Sequence, residues 1–145
     1  MTARTAKGFT LLELMIVIVV IGVLAALALF NYNKYGFRAR RSDGQQFLMA
    51  IAAAEERYFT SFNVYTANIT GASPAGLAFN SATSPNLYYT AAVVLGAGNT
   101  SYTITGTPQA GQTADACGAL TLDNLGNKTP TPSQMPQNSN GNCWQ

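Results

Sequence analysis

"KGFTLLELMIVIVVIGVLAALALF", residues 7–30, decides how the rest of this chain is read. No side chain from Leu14 to Phe30 is charged, and from Phe9 onward Glu13 is the one exception. As a helix the run covers about 25 to 33 Å, roughly one hydrocarbon thickness, so it predicts a segment able to span a membrane. A secretory signal would carry its small-residue cleavage site after the apolar stretch. Here the basic leader "MTARTAK" is followed at once by Gly8, an order that points to a cut before the apolar run and leaves that run in the mature protein.

Glu13 then needs a reason. A charge in hydrocarbon costs about 2.5 to 3.5 kcal/mol on insertion scales, and such groups are usually paired or functional. One reading is a carboxylate shallow enough to reach the interface. The other supplies a partner: cleavage after Gly8 gives Phe9 a free α-amino group, a cation that Glu13 meets when helices pack side by side.

The formal charge of +2 includes Arg4 and Lys7. Without them, Lys34, Arg38, Arg40, Arg41, Arg57 and Lys128 balance Glu13, Asp43, Glu55, Glu56, Asp115 and Asp123. Such totals do not indicate a nucleic-acid binder. Cys117 and Cys143 have no CxxC spacing and the chain has no histidine, so neither a metal site nor a cofactor is expected. The pair reads as a disulfide made in an oxidising compartment, with two free buried thiols as the alternative.

Beyond the apolar run, Phe47, Ile51, Ala54, Tyr58 and Phe62 recur at steps of three and four, the stripe of an amphipathic helix. No proline occurs before Pro74, so both helices are expected to form one rod of about fifty residues and roughly 80 Å, weakest at Gly22, Gly36 and Gly44. Residues 63–86 read as a long surface connection. Segments 87–95, 101–107 and 118–124 read as three strands, antiparallel because their connections are too short for crossover helices. A disulfide would tie back the proline-rich tail.

Catalytic constellations are missing. The glycines of "LGAGNTS" join two strands and read as turn residues rather than a phosphate loop. Glu55 and Glu56 are adjacent on a helix, diverge, and read as a solvated edge. The basic run Lys34, Arg38, Arg40 and Arg41 reads as an interfacial collar, with subunit or DNA contacts as sharper alternatives. Its four cations against two in the leader favour the wrong orientation for an exported head, although the disulfide argues for export. N-x-S/T triplets at Asn68, Asn99 and Asn127 carry little weight.

The opening segment resembles the N-terminus of a type IV pilin precursor. That resemblance implies cleavage between Gly8 and Phe9 by a membrane prepilin peptidase, N-methylation of Phe9, and pairing of Glu13 with the terminal amine of a neighbouring subunit. Gly22 matches the family's usual glycine, a starting point for local helix melting, whereas Phe30 stands where pilins commonly carry proline. The stretch from "LYYTAAVVL" through "LGNK", with terminal "NCW", is similar to E-type minor pilins of Gram-negative bacteria.

The fold so implied is α+β, a long N-terminal helix on a small antiparallel sheet. Its parts are a leader (1–8), a transmembrane and polymerisation helix (9–30) and a globular head (31–145) closed by Cys117 and Cys143. The implied function is that of a non-enzymatic minor subunit taking part in pilus assembly, and through the filament in twitching motility, adhesion or DNA uptake. Its partners would be major and minor pilins, prepilin peptidase, the inner-membrane assembly platform and, before assembly, lipid; nucleic acid is not indicated. Its location would be the inner membrane with a periplasmic head, then the surface pilus. A major pilin, a type II secretion pseudopilin and a DNA-binding uptake pilin are the alternatives.

Overall fold

The computed structural model describes residues 8–135, 138 and 141–144, with residues 28–33 described by backbone only. The leader residues 1–7, Arg4 and Lys7 among them, and the Phe30 side chain lie outside this description. The chain divides into two compact units, the first ending at Lys34 and the second running from Tyr35.

Helix α1 covers Leu11–Phe62, 52 residues without a break in its helical hydrogen bonding, so none of Gly22, Gly36 or Gly44 interrupts it. Thr10 opens it: its Oγ1 accepts the Glu13 N–H at 3.2 Å, and Glu13 is the acid of the first turn. This is the T-x-x-E arrangement of a capping box, and a carboxylate there also faces the positive end of the helix dipole. In the first unit every described side chain from Gly8 to Leu27 is exposed.

Among the described residues no helix is long and apolar enough to cross a membrane. The expected span over residues 9–30 extends past the last described side chain of the run and stays an expectation. The described side chains of the run end at Leu27, and the rest of its apolar length is read from sequence alone.

The second unit has its own core. Strands β1 (Tyr89–Leu95), β2 (Tyr102–Pro108), β3 (Leu120–Asp123) and β4 (Lys128–Thr129) form one antiparallel sheet in the order β1-β2-β3-β4. Alternation decides its faces. Tyr89, Ala91, Val93, Tyr102, Ile104 and Leu120 point inward and form one core with Phe47, Leu48 and Ile51 of α1, and Leu122 is buried on the same face. Two glycines let helix and sheet approach: a Cβ at Gly44 would lie 2.5 Å from the Tyr89 ring, and one at Gly106 3.1 Å from Leu48. Gly44, expected as a weak point, is thus required by packing.

Five expectations change here. The sheet has a fourth strand, because Lys128 and Thr129 pair with Leu122 and Thr121 although they adjoin Pro130. The stripe's far end is wrong: Tyr58 is half-buried and Phe62 exposed, because α1 runs beyond the sheet's cover. Glu55 is no solvated edge but fully buried, and Arg41 is no collar residue but 1% exposed. The connection 63–86 is not all surface either, since Tyr65, Ile69 and Ser84 are buried.

Candidate functional site

Two regions carry chemistry worth following. The first is the start of α1. Phe9 is 84% exposed, and Leu11, Leu12, Leu14, Met15, Ile16, Val17 and Ile18 are all more than half-exposed or close to it. A contiguous apolar surface of this extent is far beyond what a monomer leaves in water, so it marks an interaction surface. Gly22 lies within it, with nothing within 4 Å of where a Cβ would stand. Glu13 is the one acid in it, fixed to the helix start through Thr10.

The second region is the polar interior of the head. Arg41 donates from Nε to Asp115 Oδ2 at 2.8 Å and from Nη2 to Oδ1 at 3.1 Å, a bidentate pair sealed from water. Its Nη1 donates to the Asn142 carbonyl. Gln45 Nε2 donates to the Cys143 carbonyl at 2.7 Å, so α1 holds the tail by two successive backbone oxygens. Cys117 and Cys143 are joined as a disulfide across a Cα separation of 5.6 Å. Gln112 completes the cluster, donating to Asp115 Oδ2 at 2.8 Å and to the Tyr89 hydroxyl at 3.1 Å. Burial pushes the Tyr89 phenol up to about 12, with the Gln112 bond opposing the shift.

At the other end of the core, Glu55 Oε2 accepts the Thr66 N–H at 3.1 Å while Oε1 is buried without a partner. Desolvation raises its pKa; the Thr66 bond pulls the other way and the Glu56 charge adds to the rise. Glu56 accepts the hydroxyls of Tyr65 and Tyr102, each at 3.2 Å, and both phenols are shifted upward chiefly by burial.

The basic run is divided among separate tasks. Arg40 donates to the Gly111 carbonyl at 3.3 Å and lies over the Tyr88 ring, and Arg38 lies over Tyr35. Asn68 and Asn127 pin turns, the first through Gly71 and Ala75, the second through Asp123. The "GAGN" glycines turn β1 into β2, with Gly98 and Asn99 at φ of 65° and 55°. Among the described residues no cluster of three potential metal ligands occurs.

An exposed apolar helix start ahead of a disulfide-closed helix-on-sheet head is the arrangement that the comparisons match. The family described as type IV minor pilin ComP, DNA uptake sequence receptor, matches residues 31–121, and the prokaryotic N-terminal methylation motif matches residues 3–29. The chain belongs to this family of type IV pilins. The pilin is 36% identical to the fimbrial protein EcpC of Eikenella corrodens over 74% of its own length and 65% of that protein's. It is 40% identical to the type IV major pilin PilA of Myxococcus xanthus over 47% of its length and 32% of that protein's. It therefore spans less than two thirds of the length of these relatives. A solved type IV pilin from Shewanella oneidensis superposes with a TM-score of 0.54 at 28% identity, covering 75% of this pilin and 98% of that chain. The methylation motif thus covers the apolar start of α1, and the pilin family covers the rest of α1 and the chain as far as β3.

Proposed function

We propose that this pilin is a minor subunit of a type IV pilus, cut between Gly8 and Phe9, methylated on Phe9, and anchored in the inner membrane by residues 9–30 until it enters the filament. The observation that carries this reading is the exposed apolar start of α1 in a chain whose head has its own closed core. In the membrane that surface meets lipid; in the filament it meets the same surface of other pilins. Glu13 pairs there with the α-amino group of a neighbouring subunit, and its seat at the helix start holds it within one turn of the new terminus. The head adds no catalysis and gives the subunit its distinct face. The minor role rests on the family description over residues 31–121 and on the tail's likeness to E-type minor pilins, while major pilins among the relatives make abundance the property to measure.

Deleting the gene and quantifying the subunits of sheared filaments tests this role. A minor subunit is found far below equimolar, and its loss reduces surface pili while the major pilin accumulates in the inner membrane. If the chain makes up most of the filament mass, it is the major subunit.

The family description favours a second reading, a DNA receptor displayed on the filament. The head gives it modest electrostatic support, since Arg41 is consumed by Asp115 and the outward face of the sheet carries chiefly threonines: Thr90, Thr103, Thr105, Thr107 and Thr121. A salt-dependent gel shift with the detergent-solubilised chain decides it.

A further inference from the structure

A groove of about 600 Å³ lies between α1 and the segment leading into β1, a volume in the range of about 300 to 1,000 Å³ that suits a small ligand or one long side chain. Asp43, Gln46, Phe47 and Ala50 form its helix wall, at the three- and four-residue steps that share a helix face; Phe79 and Leu87 stand opposite. Among the described residues lining it, Asp43 alone is charged. Its Oδ1 accepts from Asn86 Nδ2 at 2.9 Å, and its Oδ2 is withdrawn from water with no donor among the described residues. The nearest cations in sequence are engaged elsewhere, Arg41 with Asp115 and Arg40 with Gly111 and Tyr88.

The opposite wall is strained as well as apolar. Leu87 has a φ of 62°, the left-handed region that a side chain with a Cβ disfavours. Leu87 is also 67% exposed at the groove mouth. Neither feature serves the core, and strain of this kind gathers at binding sites.

From this we infer that the groove receives a lysine or arginine side chain of a neighbouring pilin subunit. A carboxylate short of donors at the end of an apolar trough is complementary to an apolar stem ending in a cation. The stem lies along Phe47, Phe79 and Leu87. The ammonium or guanidinium joins the Asn86 amide at the Asp43 carboxylate and supplies the donor that Oδ2 lacks. Because α1 supplies the wall, this contact fixes the head of one subunit against the next after the helix starts have associated. The inference rests on the filament-subunit reading above.

The test uses the full chain expressed in a strain lacking its own copy, with the ratio of sheared-filament to membrane protein measured by quantitative mass spectrometry. Asp43→Asn keeps the shape and removes the charge; its ratio falls about tenfold, the scale of losing one charge-assisted contact. Asp43→Lys falls further, and Asp43→Glu stays within about twofold of wild type on the same scale. Leu87→Asn separates docking from folding, since asparagine suits the left-handed backbone, so the melting temperature holds or rises while the ratio falls several-fold. Asp43→Asn entering filaments like wild type overturns the cationic occupant, and Leu87→Asn doing so overturns the groove as a docking site. Absence of the wild-type chain from filaments defeats the subunit reading itself.

Discussion

The two halves of α1 are built in opposite senses. Before Leu27 the apolar side chains face outward and the one acid sits at the helix start; between Arg41 and Glu55 the buried face holds an arginine, a glutamine and a glutamate among Leu48 and Ile51. Burying apolar surface is worth about 25 cal/mol per Å², so a helix that leaves leucine, isoleucine and valine exposed is completed by something outside the chain. A helix that buries charge has its partners inside, because unpaired charge there is prohibitive. The difference assigns the first half to an interface outside the chain and the second to the head.

The largest expected effect comes from breaking the inner half. Arg41→Met leaves Asp115 buried without its cation and should destabilise the head by about 3 to 5 kcal/mol, read from denaturant unfolding of the purified chain in detergent. Converting Cys117 and Cys143 to serine should cost about 2 to 4 kcal/mol. The sheet should remain folded, since Arg41 and Gln45 still hold the Asn142 and Cys143 carbonyls. Two alkylatable thiols in the native protein would show that the bridge is not made.

Glu55 sharpens the comparison through pH. Its folded-state pKa lies above the ordinary value of 4.5, chiefly through desolvation. The neutral form therefore contributes stability that is fully present below about that value and is lost as pH rises through the folded pKa. Wild-type stability should fall on going from pH 4 toward neutrality, and Glu55→Gln should flatten that slope. An unchanged slope in thermal melts would place the carboxylate in water.

The smallest effect belongs to the outer half. Ile18→Ala should leave head unfolding within about 0.5 kcal/mol of wild type, because the side chain is exposed and belongs to the first unit. The same variant should reduce the amount of chain in filaments.

How much of this is legible in the sequence follows the same division. The apolar run, the helix end at Phe62, three strands and the cysteine pair are written in local composition and period, and each is found. Lys128 and Thr129 are not, because a two-residue strand beside proline acquires its identity from Leu122 and Thr121 across the sheet. Arg41, Gln45 and Glu55 follow the helical period of the buried face, yet an apolar stripe search passes over them; their partners Asp115, Asn142, Cys143 and Thr66 lie far along the chain. The seat of Glu13 is legible in "TLLE", where a threonine three residues ahead of a glutamate signals a helix start, although the apolar run around it makes the charge the louder signal.

That seat leaves Glu13 with two roles, helix capping and intersubunit pairing, and one substitution separates them. Glutamine serves a capping box as glutamate does but carries no charge. The measurement is the amount of Glu13→Gln protein in sheared filaments relative to the membrane fraction, beside wild type. An assembly charge predicts a chain that accumulates in the membrane and is nearly absent from filaments. Glu13→Gln entering filaments at the wild-type ratio would contradict it and reduce Glu13 to a helix cap.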